Sequence, residues 1–169
     1  MLTEATIKGR FGFHCFDRSG ALLWSSFFPN GLTTAGGNYL LDVGFRDQTK
    51  LASWHIGLIS GTGFTALALA DTMASHAGWT ESTAYDEAVR QTWTPGAAAG
   101  MAIKNPVRAS FTISTNVSLI RGAFLASDST KGGTSGTLWS TGILAANKSL
   151  NDGQILRVDY ETLLTGGST

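Results

Sequence analysis

The sequence predicts a mainly β fold: an antiparallel, sandwich- or jelly-roll-like domain of about eight strands with one short helix. Three observations lead there. Short segments alternate apolar and polar residues with a period of two. Turn residues separate those segments roughly every 8–12 positions. The chain is rich in Ser and Thr and holds 21 glycines, with aromatics scattered between them, a composition that suits strands joined by tight turns.

Taken in order, residues 1–10 are polar and read as an N-terminal arm. A single domain follows over 11–165, with a flexible tail at 166–169. Phe11, Phe13 and Cys15 alternate with Gly12, His14 and Phe16 as a strand. Asp17-Arg18-Ser19-Gly20 turns the chain, and Ala21 to Phe28 returns it, making a hairpin. Thr34 is the expected N-cap of a helix over 34–45, where Tyr39, Leu40 and Val43 share one face and three glycines weaken the pattern. Ser53 to Ser60 is apolar on both faces, as a central strand is. Ala66 to Ser75 suggests a helical turn, Trp79 to Ala88 alternates like a strand, and residues 95–100 form a loop. Further strands are expected at 109–117, 119–125, 138–144 and 154–163, with a turn at Asn151-Asp152-Gly153. In the last strand Leu156, Val158 and Tyr160 face one way, and Arg157, Asp159 and Glu161 the other.

Composition narrows the function. Charged residues make up 14% of the 169 positions, against roughly 25% in an average soluble domain. Twelve basic residues balance twelve acidic ones. Such a chain has no long-range field to gather phosphates, so no nucleic-acid partner is expected, and its near-zero net charge favours association. No run approaches the ~20 apolar residues of a membrane span, and the N-terminus lacks the pattern of a signal peptide. The chain reads as one made in a cytoplasm. The single cysteine, Cys15, allows no internal disulfide and is expected to be a buried small hydrophobe.

The residues offer little chemistry. His14, His55 and His76 show no metal-ligand spacing, and no cofactor, metal or catalytic residue is assigned. Asp71, Ser75 and His76 lie too close in sequence for a nucleophilic triad, and no Gly-x-Ser-x-Gly elbow exists. Gly61-x-Gly63 and Gly132-Gly133-x-x-Gly136 lack the endings of phosphate-binding loops and read as turns. Asp159 and Glu161 share a strand face with Arg157, so charge balance on a wet face accounts for them better than glycoside hydrolysis does. The expectation is a protein without enzymatic activity.

The aromatics carry more information. Five Trp and nine Phe exceed what a small core needs. Phe27 and Phe28 are adjacent, so both faces of their strand require cover. Trp24, Phe27, Phe28, Trp79 and Trp93 are the interface candidates. Few charges guard the strand edges, so a homo-oligomer is expected, formed by edge pairing or exchange of the 1–10 arm.

Several strings resemble a family of small proteins encoded among the structural genes of tailed bacteriophages. They are Trp54-His55-Ile56-Gly57-Leu58-Ile59, Ala70-Asp71-Thr72-Met73-Ala74-Ser75-His76-Ala77-Gly78-Trp79, and Arg121-Gly122-Ala123-Phe124-Leu125 leading to Gly132-Gly133-Thr134-Ser135-Gly136-Thr137-Leu138-Trp139. The resemblance spans about residues 30–165. It implies a virion component and carries no catalytic residues. Phage capsid decoration (cement) proteins are often small β-sandwiches, so binding to the major capsid protein on the head surface is the expected role. A tail, neck or fibre-associated subunit is the alternative. A carbohydrate-binding module using Trp79 and Trp93 is the alternative from another class.

Overall fold

A computed structural model describes residues 5–166. The chain is mainly β. Among the described residues, ten strands form one continuous antiparallel sheet that curls over itself into a sandwich-like half-barrel. The strands are β1 (Thr6–Phe16), β2 (Leu22–Leu32), β3 (Trp54–Ser60), β4 (Glu81–Ser82), β5 (Gln91–Trp93), β6 (Ala102–Lys104), β7 (Ala109–Thr112), β8 (Ser118–Ala126), β9 (Leu138–Leu150) and β10 (Ile155–Thr165). The helix α1 spans Thr34–Phe45. The sheet runs β4-β3-β8-β9-β2-β1-β10-β6, with β5 also on β3 and β7 also on β10.

The hairpin β1–β2 begins as the sequence predicts. The Asp17 carboxylate accepts the amides of Ser19 at 2.8 Å and Ala21 at 2.9 Å, and Gly20 takes φ 87°. Its extent differs from the expected arm, because Thr6 to Arg10 belong to β1 and pair with Thr165 to Glu161. Ile7 and Gly9 turn inward while Thr6, Lys8 and Arg10 stay exposed, so this polar-looking stretch is an ordinary half-buried strand. These residues pair within the sheet of their own chain. The rest of the arm (residues 1–4) and the tail beyond 166 lie outside the described residues.

The helix sits where expected, but its N-cap is Thr33. Thr33 has extended dihedrals and accepts Gly36 N–H at 3.0 Å. Gly36 explains one of the glycines that weakened the helical pattern. A Cβ there would run into the Trp139 carbonyl, so glycine lets the helix lie directly on β9.

The inward residues of β1, β2, β3, β7, β8 and β10 fill the main core, including Phe11, Phe13, Phe111, Leu156, Val158 and Tyr160. The last strand therefore divides its faces as predicted. β3 is buried from His55 to Ile59, as a central strand should be. Its opposite face meets a second cluster of Ile59, Met73, Trp79, Phe124, Ala126 and Leu138 beneath the segment 61–80.

Three expectations are corrected. Ala66 to Ser75 forms turns instead of a helical turn, because the Asp71 carboxylate takes the Ala68 amide at 2.9 Å and competes with helical bonding. In Trp79 to Ala88 only Glu81–Ser82 enters a ladder, and Tyr85 makes an isolated bridge to Ile113. The predicted strand 109–117 stops at Thr112. The short strands β5 and β6 carry too few residues to show a period. The Tyr85 bridge has a structural role. Asp86 N–H donates to Thr112 O at 2.8 Å and Ser114 N–H to Ala84 O at 3.2 Å, joining the two ends of the curled sheet.

Candidate functional site

Two surfaces stand out. The first is an apolar groove of about 460 Å³ between the helix, the 98–103 hairpin and the ends of β1 and β10. Tyr39, Trp54 and Trp139 give it stacked edges. The Tyr39 and Trp54 rings meet edge-on at 5.3 Å, and those of Trp54 and Trp139 at 5.8 Å. The polar atoms of two of these aromatics are already engaged. Trp139 Nε1 donates to Tyr160 Oη at 2.8 Å, and Tyr39 Oη accepts the Leu51 amide at 2.8 Å. Tyr160 is a buried hub that also meets Asn30, Ser140 and Thr162. Burial pushes its hydroxyl above the ordinary tyrosine range. Lys50 is the one charged residue lining the groove, so ring faces and aliphatic carbon are what it offers.

The hairpin at the rim is specialised. Ala99 and Ala102 exchange both backbone hydrogen bonds around Gly100 and Met101, which take φ of 57° and 61°. Positive φ at both central positions marks a type I′ turn, where glycine or asparagine is preferred. Methionine in that conformation is strained. Met101 nonetheless stands 53% exposed and lines the groove.

The second surface is the outer face of β2, β1 and β10. Here His14 Nδ1 lies 2.9 Å from Ser25 Oγ, and His14 Nε2 lies 2.7 Å from Asp159 Oδ2. Arg108 Nε donates to both oxygens of Asp159 at 3.0 and 3.1 Å. A serine–histidine–aspartate chain invites a nucleophilic reading. That chemistry needs N–H donors converging on a developing oxyanion. The His14 strand is hydrogen-bonded on both sides, to β2 and to β10, so its amides are spent in ladders. The network ties three strands together. Nothing in the sequence announced it, since His14 and Asp159 are 145 positions apart and form no local motif.

The triad weighed from sequence does not assemble. His76 Nδ1 bonds the Trp79 carbonyl oxygen at 2.9 Å and its ring stacks on the indole at 3.9 Å. The Asp71 carboxylate accepts Trp79 Nε1–H at 3.0 Å. These residues hold the 61–80 segment onto the sheet. Asp159 and Glu161 do face outward with Arg157, but they pair with Arg108 and Arg10. Among the described residues no three His, Cys, Asp or Glu side chains gather as a metal site, and no helix is long and apolar enough to cross a membrane.

The five interface candidates separate by depth. Phe28 (4% exposed) and Trp79 (2%) are core residues with little surface for a partner or a sugar, whereas Trp93 (8%) is mostly buried but borders the aromatic groove. Phe28 stacks on Phe11 and meets Phe13 edge-on, and Trp93 Nε1 donates to the Tyr160 carbonyl at 3.2 Å. Trp24 is half-buried with the Lys148 ammonium 5.2 Å from its ring. Phe27 is 57% exposed, with Arg10 over its ring. Adjacent positions do point to opposite faces, but the chain itself covers only the Phe28 side. Sequence reasoning missed Tyr39, Trp54 and Trp139, whose shared groove depends on helix and strands meeting. Compared with protein-family models and with the curated proteins, the chain has no match.

Proposed function

We propose that this chain is a non-enzymatic structural subunit of a tailed-phage particle that decorates the head lattice and contacts the capsid protein through the aromatic groove. The groove carries the reading. It is an open, almost uncharged concavity, and the helix beside it turns Leu40, Leu41 and Phe45 toward solvent. An apolar surface of this kind on a small protein is a mark of a contact site. The strings that resemble phage structural proteins favour the same reading. Decoration works by burying area at lattice joints, and repetition over the lattice multiplies a modest contact.

The test is co-sedimentation of the purified chain with undecorated heads. The wild-type chain is expected to pellet with them, and Leu40→Asp or Met101→Asp to remain in the supernatant while folding normally. A wild-type chain that stays soluble beside saturating heads would overturn the reading. A tail or neck subunit would use the same groove but would appear in few copies per particle, so stoichiometry in the virion separates the two.

A further inference from the structure

The outer face of β1, β10 and β6 has a charge that the whole chain does not. Among the described residues, Lys8, Arg10, Lys104, Arg108 and Arg157 stand there against only Asp159 and Glu161. Because the chain has twelve basic and twelve acidic residues, the rest of the molecule carries the matching acidic excess. In the middle of this face lies a concavity of about 240 Å³ lined by Arg10, Phe27, Lys104, Arg108, Asp159 and Glu161 among others.

The two arginines are held rather than loose. Arg10 Nε donates to Glu161 Oε2 at 2.8 Å, and its guanidinium lies 5.5 Å from the centre of the Phe27 ring. Arg108 Nε is fixed on Asp159, which His14 braces from the other side. Each carboxylate is thus engaged in orienting a guanidinium through Nε. Both Nη groups of each arginine, and Nζ of Lys104, have no protein partner among the described residues. Two pre-oriented guanidiniums beside a lysine and an exposed ring form a receptor for a carboxylate on an apolar stem.

The geometry points to this face as a docking surface for an acidic protein partner, with a partner carboxylate entering between Arg10, Arg108 and Lys104 against Phe27. A nucleic acid fits less well. Its backbone presents a charge every ~1.7 Å along the axis and would meet Asp159 and Glu161 as well as the cations. A single side-chain carboxylate can enter between them. That the partner belongs to a phage particle rests on the function proposed above; the anion site itself does not.

The probe is fluorescein-labelled poly-L-glutamate, titrated with the full chain and read by anisotropy, with double-stranded DNA of similar charge as a second probe. Poly-L-glutamate is expected to bind, and to weaken by about tenfold or more as salt rises from about 50 to 200 mM. The double variant Arg10→Gln/Arg108→Gln should weaken binding at least about tenfold, and Lys104→Glu should do so independently. Arg18→Gln/Arg46→Gln removes the same charge from exposed pairs elsewhere and should change it by less than about twofold. Circular dichroism confirms that each variant folds. Equal losses from both double variants would reduce the effect to net charge and overturn the site. Absent poly-L-glutamate binding would overturn it too. Tighter binding to DNA would replace the acidic protein with a nucleic acid. Head co-sedimentation through the groove can succeed or fail without altering any of these outcomes.

Discussion

At the residue scale, Arg90 is the most heavily committed charge in the molecule. It is fully buried, and its guanidinium lies over Phe124 at 5.1 Å. Nε and Nη2 donate to the two Glu81 oxygens at 3.0 and 2.8 Å, and the remaining donors reach the carbonyl oxygens of Asp128 and Gly133 at 2.9 and 2.6 Å. One side chain thereby ties β4 to the 127–133 loop. Placing such an ion pair out of water is costly, but removing one partner strands the other, which is costlier. Arg90→Ala is therefore expected to destabilise the fold by about 3–5 kcal/mol, measured by urea unfolding. Arg90→Lys should recover little of it, because an ammonium cannot reproduce the fork to Glu81. A loss under about 1 kcal/mol for Arg90→Ala would contradict this account.

At the element scale, the strands that close the ends of the curled sheet are very short. β4 has two residues, β5 and β6 three each, and none offers a long row of unpaired amides to another copy. A longer open edge lies within the sheet, where Leu22 to Phe28 of β2 are laddered to β1 alone, because β9 pairs only with Asn30 to Leu32. The 99–102 hairpin shows the opposite economy, because it retains a strained residue. Met101→Gly should relieve the left-handed strain and raise stability by up to about 1 kcal/mol, part of the gain being offset by a more flexible unfolded chain. The same variant should weaken head binding, because it removes side-chain area from the groove. Thermal unfolding and co-sedimentation, run in parallel, check both halves. Lower stability with unchanged binding would remove the functional explanation for the strain.

At the scale of the whole molecule, Cys15 reports on the entire curl. It is fully buried in the main core between β2 and β10, and burial pushes its thiol up to about 11. The native protein therefore presents a neutral, inaccessible thiol at pH 8, whereas the unfolded chain exposes one with an ordinary pKa near 8.5. Alkylation by iodoacetamide at pH 8 should be slow and should accelerate in urea in step with global unfolding. Fast labelling in buffer would mean that the sheet opens locally around β1.

How much of this was legible depends on whether the information was local. The alternation in β10, the all-buried β3, the first hairpin and the helix position are each written in a few consecutive residues, and the backbone periods of 2 and 3.6 convert them into structure. The burial of Cys15 follows from the same alternation. By itself the sequence determined a β-rich, charge-poor chain with more aromatics than a small core needs. Which aromatics were surplus was a tertiary decision. Phe28, Trp79 and Trp93 became core, whereas Phe27 faced water and Tyr39, Trp54 and Trp139 met in a groove. The His14–Asp159 bond and the basic face join residues far apart in the chain through strand register. Period-two alternation says that two faces exist. Only the curl of the sheet decides which face the chain covers and which it leaves open to water.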